Sequence, residues 1–252
     1  MDRAIYTAGN GAARILEQQA TLSNNLANIN TAGFKAQLAA YRSTPVVSRE
    51  MGNERTTRVM TVTASSNSVM EQGPFITTGK ELDLAIQGEG WFAVRAIDGT
   101  EAYTRGGSLQ INADGLLLTS GGLMVLSQDG QPIEIPNATS IGIERAGGIN
   151  VLGDGDAATE VQQVAVLKVA DATGVELLRG EDGLFRAPDA AVLPAMEQPT
   201  VLSGGLEGSN VSAAENMVGL IQNARRFELQ MKMITELSSV EQSGNSLLSS
   251  SS

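Results

Sequence analysis

The sequence predicts an α+β protein: long N- and C-terminal helices forming a coiled-coil module, with a central mainly antiparallel β domain. Three observations predict it. Apolar residues recur at steps of three and four through the first 29 positions. Aspartate–glycine pairs then punctuate short alternating runs. A second helical pattern opens behind a capping signal at Ser212 and runs on toward the C-terminal serines. The expected organisation is a helix and turn over 1–34, an extended linker over 35–80, the β domain over 81–208 and the second helix over 209–252.

The first helix is expected over about 3–29. Its seam holds Ile5, Ala8, Ala12, Ile15, Gln19, Leu22, Leu26 and Ile29, apolar at all but one position. Gly9 and Gly11 weaken its early turns by about 1 kcal/mol each relative to alanine. Asn30-Thr31-Ala32-Gly33 ends it, with Gly33 placed for a left-handed turn residue. Between Ala4 and Gly33 only Arg14 and Glu17 are charged, and the remaining polar faces carry Gln18, Thr21, Ser23, Asn24, Asn25 and Asn28. Solvated helices usually carry Lys–Glu pairs, whereas uncharged amides suit a helix among other helices. Two readings stay open on pattern alone: an intramolecular helical hairpin, or assembly between subunits.

Residues 44–80 are rich in Thr, Ser and Val, with Pro45 and Pro74, and read as extended. Strands are expected at 82–87, 91–96, 101–105, 108–112, 116–119, 132–135 and 161–169. Four turn signals separate short runs of this kind: Asp98-Gly99, Asp114-Gly115, Asp129-Gly130 and Asp182-Gly183. The C-terminal helix opens with Ser212 and Glu215 as a capping box. Its expected seam is Ala213, Met217, Leu220, Ala224, Phe227, Met231, Ile234 and Ser238. Val218, Ile221, Leu237 and Val240 add a second apolar row, more than one two-stranded contact needs.

Composition excludes several kinds of chemistry. The 252 residues include no histidine and no cysteine, which removes His-dependent triads, thiolate catalysis and zinc, haem or iron–sulfur ligation. A net charge of −11 with no basic cluster argues against nucleic acid and anionic membranes as partners. No run reaches the length of a membrane span, and the first residues lack the apolar core of a conventional signal peptide. An all-carboxylate or lysine-based enzyme survives this exclusion, while no cofactor or metal is expected.

Three stretches carry a family resemblance. SNNLANINTAGFKAQ (23–37), LDLAIQGEGWFAVRAIDGTEAYTRGGSLQINADGLLLTSGG (82–122) and LEGSNVSAAENMVGLIQNARRFELQMKMI (206–234) resemble, in that order, the N-terminal, shared β and C-terminal signatures of bacterial flagellar rod and hook proteins. The opening MDRAIYTA and the length are similar to the proximal-rod members of that family; distal-rod members, the alternative, carry a Gly-rich segment that 44–60 does not resemble. The resemblance implies a non-enzymatic axial subunit whose terminal helices line an export channel, with the β domain outside. It further implies self-assembly and assembly with proximal and distal rod subunits. Passage through the flagellar type III export apparatus without a cleavable signal, a place in the rod that crosses the periplasm, and no membrane insertion follow from it too.

The candidate assembly residues are therefore Ile5, Ile15, Leu22, Asn24, Asn25, Leu26, Asn28, Ile29, Met217, Leu220, Ile221, Phe227, Met231 and Ile234. Asn30, Thr31, Gly33 and Phe34 are the candidate bend between helix and β domain; the plainer reading is a helix C-cap with Phe34 in the core. Gly88-Glu89-Gly90 reads as a turn, because it lacks the third glycine and following helix of a dinucleotide site. Gly153-Asp154-Gly155-Asp156 lacks the ligand spacing of a calcium loop. Tyr103-Thr104-Arg105 is expected on a strand surface, and Arg225-Arg226 with Glu228 on a charged helix face. Asn137-Ala138-Thr139 matches a glycosylation sequon of little weight in a bacterial chain. The competing function is a carboxylate-based enzyme or carbohydrate-binding β protein using Asp83, Glu89, Asp98 or Glu101, but acidic residues at turns are common for turn reasons.

Overall fold

Alternating and DG-punctuated runs become strands, and the two periodic ends become helices. The computed structural model describes residues 2–47, 55–136, 138–153 and 162–250. The chain is α+β, and its described residues run from helix α1 (Asp2–Ala27) through seventeen strands to helix α2 (Ala213–Ser250). By internal contacts it divides into a helical unit (Met1–Ala27, Gln37–Val69, Val211–Ser252) and a β unit (Asn28–Ala36, Met70–Asn210).

In the helical unit, α1 and α2 lie side by side and antiparallel: Gly219 faces Leu22, and farther along Gln230 faces Gly11. On α1 the expected seam faces inward, with Ala8 and Ala12 buried and Ile5, Ile15, Gln19, Leu22 and Leu26 half-buried; Ile29 lies beyond the end of the helix. On α2 the inward row differs from the expected seam. Met217, Ala224 and Met231 are exposed, whereas Asn216 and Asn223 are buried and Gly219, Leu220, Phe227, Gln230 and Ile234 are half-buried. The physical reason is that α2 carries apolar side chains around its circumference, so periodicity alone singles out no face. Close approach at Gly219 and the hydrogen bond from Gln230 to the Ala8 carbonyl accompany the face that turns inward. Ser212 caps α2, its Oγ accepting from the Glu215 N–H at 3.4 Å.

The segment expected as a linker forms part of a paired hairpin: β1 (Gln37–Val47) and β2 (Arg55–Ser68) run antiparallel from Gln37↔Ser68 to Val47↔Arg55, with two register shifts. Its β-branched residues made extension legible, but the pairing joins two separate tracts.

The β unit contains β3 (Phe75–Thr77), β4 (Leu84–Gln87), β5 (Trp91–Arg95), β6 (Glu101–Thr104), β7 (Leu109–Ile111), β8 (Leu117–Thr119), β9 (Met124–Val125), β10 (Ala138–Ile143), β11 (Gly148–Gly153), β12 (Gln162–Val166), β13 (Val169–Ala170), β14 (Leu178–Arg179), β15 (Phe185–Arg186), β16 (Thr200–Ser203) and β17 (Gly205–Glu207). Its main sheet is eight-stranded, ordered β14-β15-β6-β5-β9-β8-β7, with β13 also pairing β5; β10-β11-β12, β16-β4 and β17-β3 form smaller antiparallel sheets. All four DG signals are turns. The N–H of Gly99, Gly115, Gly130 and Gly183 donates to the carbonyl three residues back, at 3.0, 3.1, 2.8 and 3.1 Å. Residues 132–135 make only isolated bridges beside β8 and β9. Leu84, Ile86, Phe92, Leu117, Ile149 and Leu167 are central to the larger core, and Trp91, Tyr103 and Phe185 to a second one.

Candidate functional site

The turn that follows α1 belongs to the β unit and is held there by one buried carboxylate. Thr31 N–H donates to the Asn28 carbonyl at 3.1 Å and Phe34 N–H to the Thr31 carbonyl at 3.2 Å, a local geometry that Asn and Thr favour. Gly33 takes φ +69°, and its N–H donates to the Glu207 carbonyl at 2.7 Å. A Cβ at residue 33 would lie 2.2 Å from the Arg105 carbonyl carbon, so both conformation and space require glycine. Phe34 is buried, with the Arg179 guanidinium 4.5 Å above its ring.

Next in sequence, Lys35 is almost fully enclosed. Its Nζ donates to Glu207 Oε1 and to the Glu71 carbonyl, both at 2.7 Å. The other oxygen of Glu207 accepts from Arg105 at 3.1 Å, and the Gly73 N–H donates to Oε1 at 3.1 Å. Arg105 also donates to the Gly88 carbonyl at 2.6 Å and stacks 5.0 Å from the centre of the Trp91 ring. Burial pushes Lys35 below the ordinary lysine value despite the Glu207 carboxylate, and burial likewise lowers Arg105. The arrangement is a pairing of two buried cations with one carboxylate. It fixes the bend, because two cations taken out of water depend on one shared carboxylate.

Sequence reasoning missed this group. Tyr103 and Arg105, expected on a strand surface, are both buried. Tyr103 donates to Glu101 at 2.9 Å and accepts from the Leu193 N–H at 2.7 Å. A signal was present: Lys35, Arg105 and Glu207 each fall in a different one of the three stretches that carry the family resemblance.

Of the other bend residues, Asn30 and Thr31 are exposed. In the helical unit Asn25 is buried and acts as a backbone surrogate, its Nδ2 donating to the Gln37 carbonyl at 2.9 Å and its Oδ1 accepting from the Gln37 N–H at 2.8 Å. Asn24 is exposed. Ile5, Ile15, Leu22, Leu26, Leu220, Phe227 and Ile234 are half-buried between or beside the helices, and Asn28 and Ile29 are half-buried in the β unit. Met217, Ile221 and Met231 are exposed, as are Arg225, Arg226 and Glu228.

The carboxylates of the competing reading are engaged separately. Asp83 accepts from Ser108 Oγ, Asp98 from the hydroxyl and N–H of Thr100, Glu101 from Lys168 and Tyr103, and Glu89 from Thr173. Among the described residues no cluster of three or more acidic side chains has the spacing of a metal site. Gly88-Glu89-Gly90 is the turn between β4 and β5. Residues 154–156 of the acidic loop and Asn137 of the sequon lie outside the described residues.

The β unit clasps its own bend through paired buried charges, and the helix pair leaves apolar side chains turned outward, features that suit a structural protein. Three family models match it. The Flagella basal body rod protein model covers residues 5–35, the Flagellar hook protein FlgE/F/G D1 domain 85–151, and the Flagellar basal body rod FlgEFG protein C-terminal model 202–247. The flagellar basal-body rod protein FlgF of Salmonella typhimurium is 42% identical and that of Escherichia coli K12 43%, each over the whole of both chains. FlgG of Agrobacterium fabrum is 31% identical over 92% of this chain and 94% of its own. The chain belongs to the flagellar basal-body rod protein family.

Proposed function

We propose that the chain is a structural axial subunit of the proximal rod of the bacterial flagellar basal body, polymerising through its terminal helices around the export channel and contributing to motility. One observation carries this reading: α2 leaves Met217, Val218, Ile221, Leu229, Met231 and Met233 exposed in a single chain. Apolar side chains exposed at several positions around a helix gain by being covered, and neighbouring subunits supply the cover. Coiled-coil packing between subunits, partnership with proximal and distal rod proteins, and passage through the type III export apparatus to a rod crossing the periplasm belong to the same proposal. The proximal position rests on identity, 42–43% to the FlgF relatives against 31% to the FlgG relative.

An in-frame deletion in the source bacterium tests it. The expected result is non-motile cells without a complete rod by electron microscopy, restored by the intact gene but not by one lacking residues 1–33. Motile deletion cells whose basal bodies, by mass spectrometry, never contain the chain in the parent strain would overturn it.

A further inference from the structure

The two helices close on one another through small and amide residues rather than through the apolar row of α2. Gln230 Nε2 donates to the carbonyl of Ala8 at 2.9 Å. Glycine on the facing turn leaves room for this approach, since a Cβ at residue 11 would lie 3.2 Å from that nitrogen and press the Gln230 side chain back. At the second contact, a Cβ at residue 219 would lie 3.1 Å from Cδ1 of Leu22, so Leu22 seats directly over Gly219. Gly11 precedes Leu22 by eleven residues and Gln230 follows Gly219 by eleven, so both contacts fit one antiparallel register and no other. Between them Asn223 is 1% exposed, and Asn216 donates to the Ser212 carbonyl at 2.8 Å. Asn216, Asn223 and Gln230 thus form a column at heptad spacing on the side of α2 that faces inward.

We infer that Gln230, with Gly11 and the Leu22–Gly219 seat, sets the register and rotation of α2 against α1 and thereby decides which α2 side chains meet a neighbouring subunit. Burial of Met217, Ile221 and Met231 on α1 is the competing arrangement, and hydrophobicity alone would favour it. The lock excludes it. Gln230 reaches the Ala8 carbonyl with this side of α2 turned inward, and Gly11 and Gly219 leave the room that this rotation uses. Gln230 and the glycines are positioning residues: they touch no neighbour themselves but orient the row that does. The inference rests on the rod-subunit reading for its biological meaning, and its geometry can be tested apart from it.

The chain has no cysteine, so a pair introduced as Leu22→Cys and Gly219→Cys reports the register without background. Carried as the sole copy in cells, this pair is expected to close within one chain in purified basal bodies, seen as a reducible mobility shift at monomer size. Adding Gly11→Leu and Gln230→Ala is expected to abolish closure and swimming while the protein remains present at normal abundance. Absence of closure in the reporter alone overturns the inference, as does undiminished closure with both lock substitutions. If the reporter itself prevents assembly, peroxide oxidation of Met217 and Met231 in the cysteine-free chain replaces it. The Gly11→Leu, Gln230→Ala variant is expected to oxidise several-fold more slowly there, and an unchanged rate overturns the inference. Expected closure combined with normal swimming of the lock variant would leave the geometry standing and remove the presented face from rod assembly.

Discussion

In the β unit, Lys35, Arg105 and Glu207 satisfy one another below the surface, and side chains such as Leu84, Phe92 and Ile149 are fully enclosed by their own chain. In the helical unit, Asn25, Asn216 and Asn223 are buried along with Ala8, Ala12 and Val211, whereas Met217, Ile221 and Leu229 face solvent. One unit has placed its apolar groups inside and paired its buried charges; the other has reversed the usual assignment on much of α2. The difference shows where each unit finds its stability. The β unit completes its core within one chain. The helical unit leaves apolar side chains of α2 uncovered by its own chain, as the proposed assembly requires.

The strongest way to break this contrast is to remove the shared carboxylate. Glu207→Ala leaves two buried cations without a counter-charge, and a loss of about 3–5 kcal/mol is expected. Urea denaturation followed by the fluorescence of the sole tryptophan, Trp91, measures it, because that ring lies against Arg105. A loss below about 1 kcal/mol, the size of an exposed pair, would mean that the β unit does not depend on the triad. Gly33→Val is expected to cost about 2–4 kcal/mol, from the positive φ and from collision with the Arg105 backbone. The same fluorescence assay reads it, and swimming is expected to fail with it. Gly33→Ala, with less bulk but the same φ, should fall between the wild type and Gly33→Val.

Much of this was legible locally. The α1 seam was readable because Ala8, Ala12 and their neighbours follow one helical stripe, and the hairpins because an Asp-Gly pair fixes a turn within four residues. The rotation of α2 was not, because its apolar residues mark no single stripe; the choice lies in Gly219 and Gln230, whose partners sit on another helix. The β1–β2 hairpin read as extended but not as paired, since pairing is a relation between two tracts. The triad was the least legible part: Glu207 meets Lys35 across 172 residues and Arg105 across 102. Each looks like an ordinary surface charge in its own window. Short strands such as β14 and β15, two residues each, carry no periodicity at all.

A smaller effect sharpens the account of the β unit through pH. Burial raises the Tyr103 phenol above its ordinary value of 10.0. A folded value raised above the unfolded one contributes stability that is fully present below about pH 10 and is lost as pH rises beyond it. Lys35, lowered from 10.5, contributes in the opposite sense, with stability rising toward alkaline pH, so the wild-type slope alone mixes the two. Tyr103→Phe separates them because Lys35 is common to both proteins. The variant is expected to cost about 1–2 kcal/mol at neutral pH, since it leaves the Leu193 N–H without its acceptor. Its deficit should shrink between about pH 9 and about pH 11. A constant deficit would show that Tyr103 ionises as freely folded as unfolded.

The smallest expected change in stability bears most directly on the contrast. Met217 and Ile221 are 52% and 57% exposed in the single chain. Converting both to serine removes apolar surface that is already largely in water, so the isolated protein should change by no more than about 0.5 kcal/mol. Swimming, in contrast, should be lost if these side chains are buried against neighbouring subunits, since many repeated contacts would each lose apolar area. Thermal melting of the purified variant and motility of the complemented strain give the two numbers. A substantial drop in melting temperature would mean that the face is already covered within the chain, and the comparison between the units would fail on its structural side. An unchanged melting temperature with unimpaired swimming would mean that the exposed row is not where the subunits meet. Only a stable protein that no longer supports swimming separates what the chain needs in order to fold from what it needs in order to assemble.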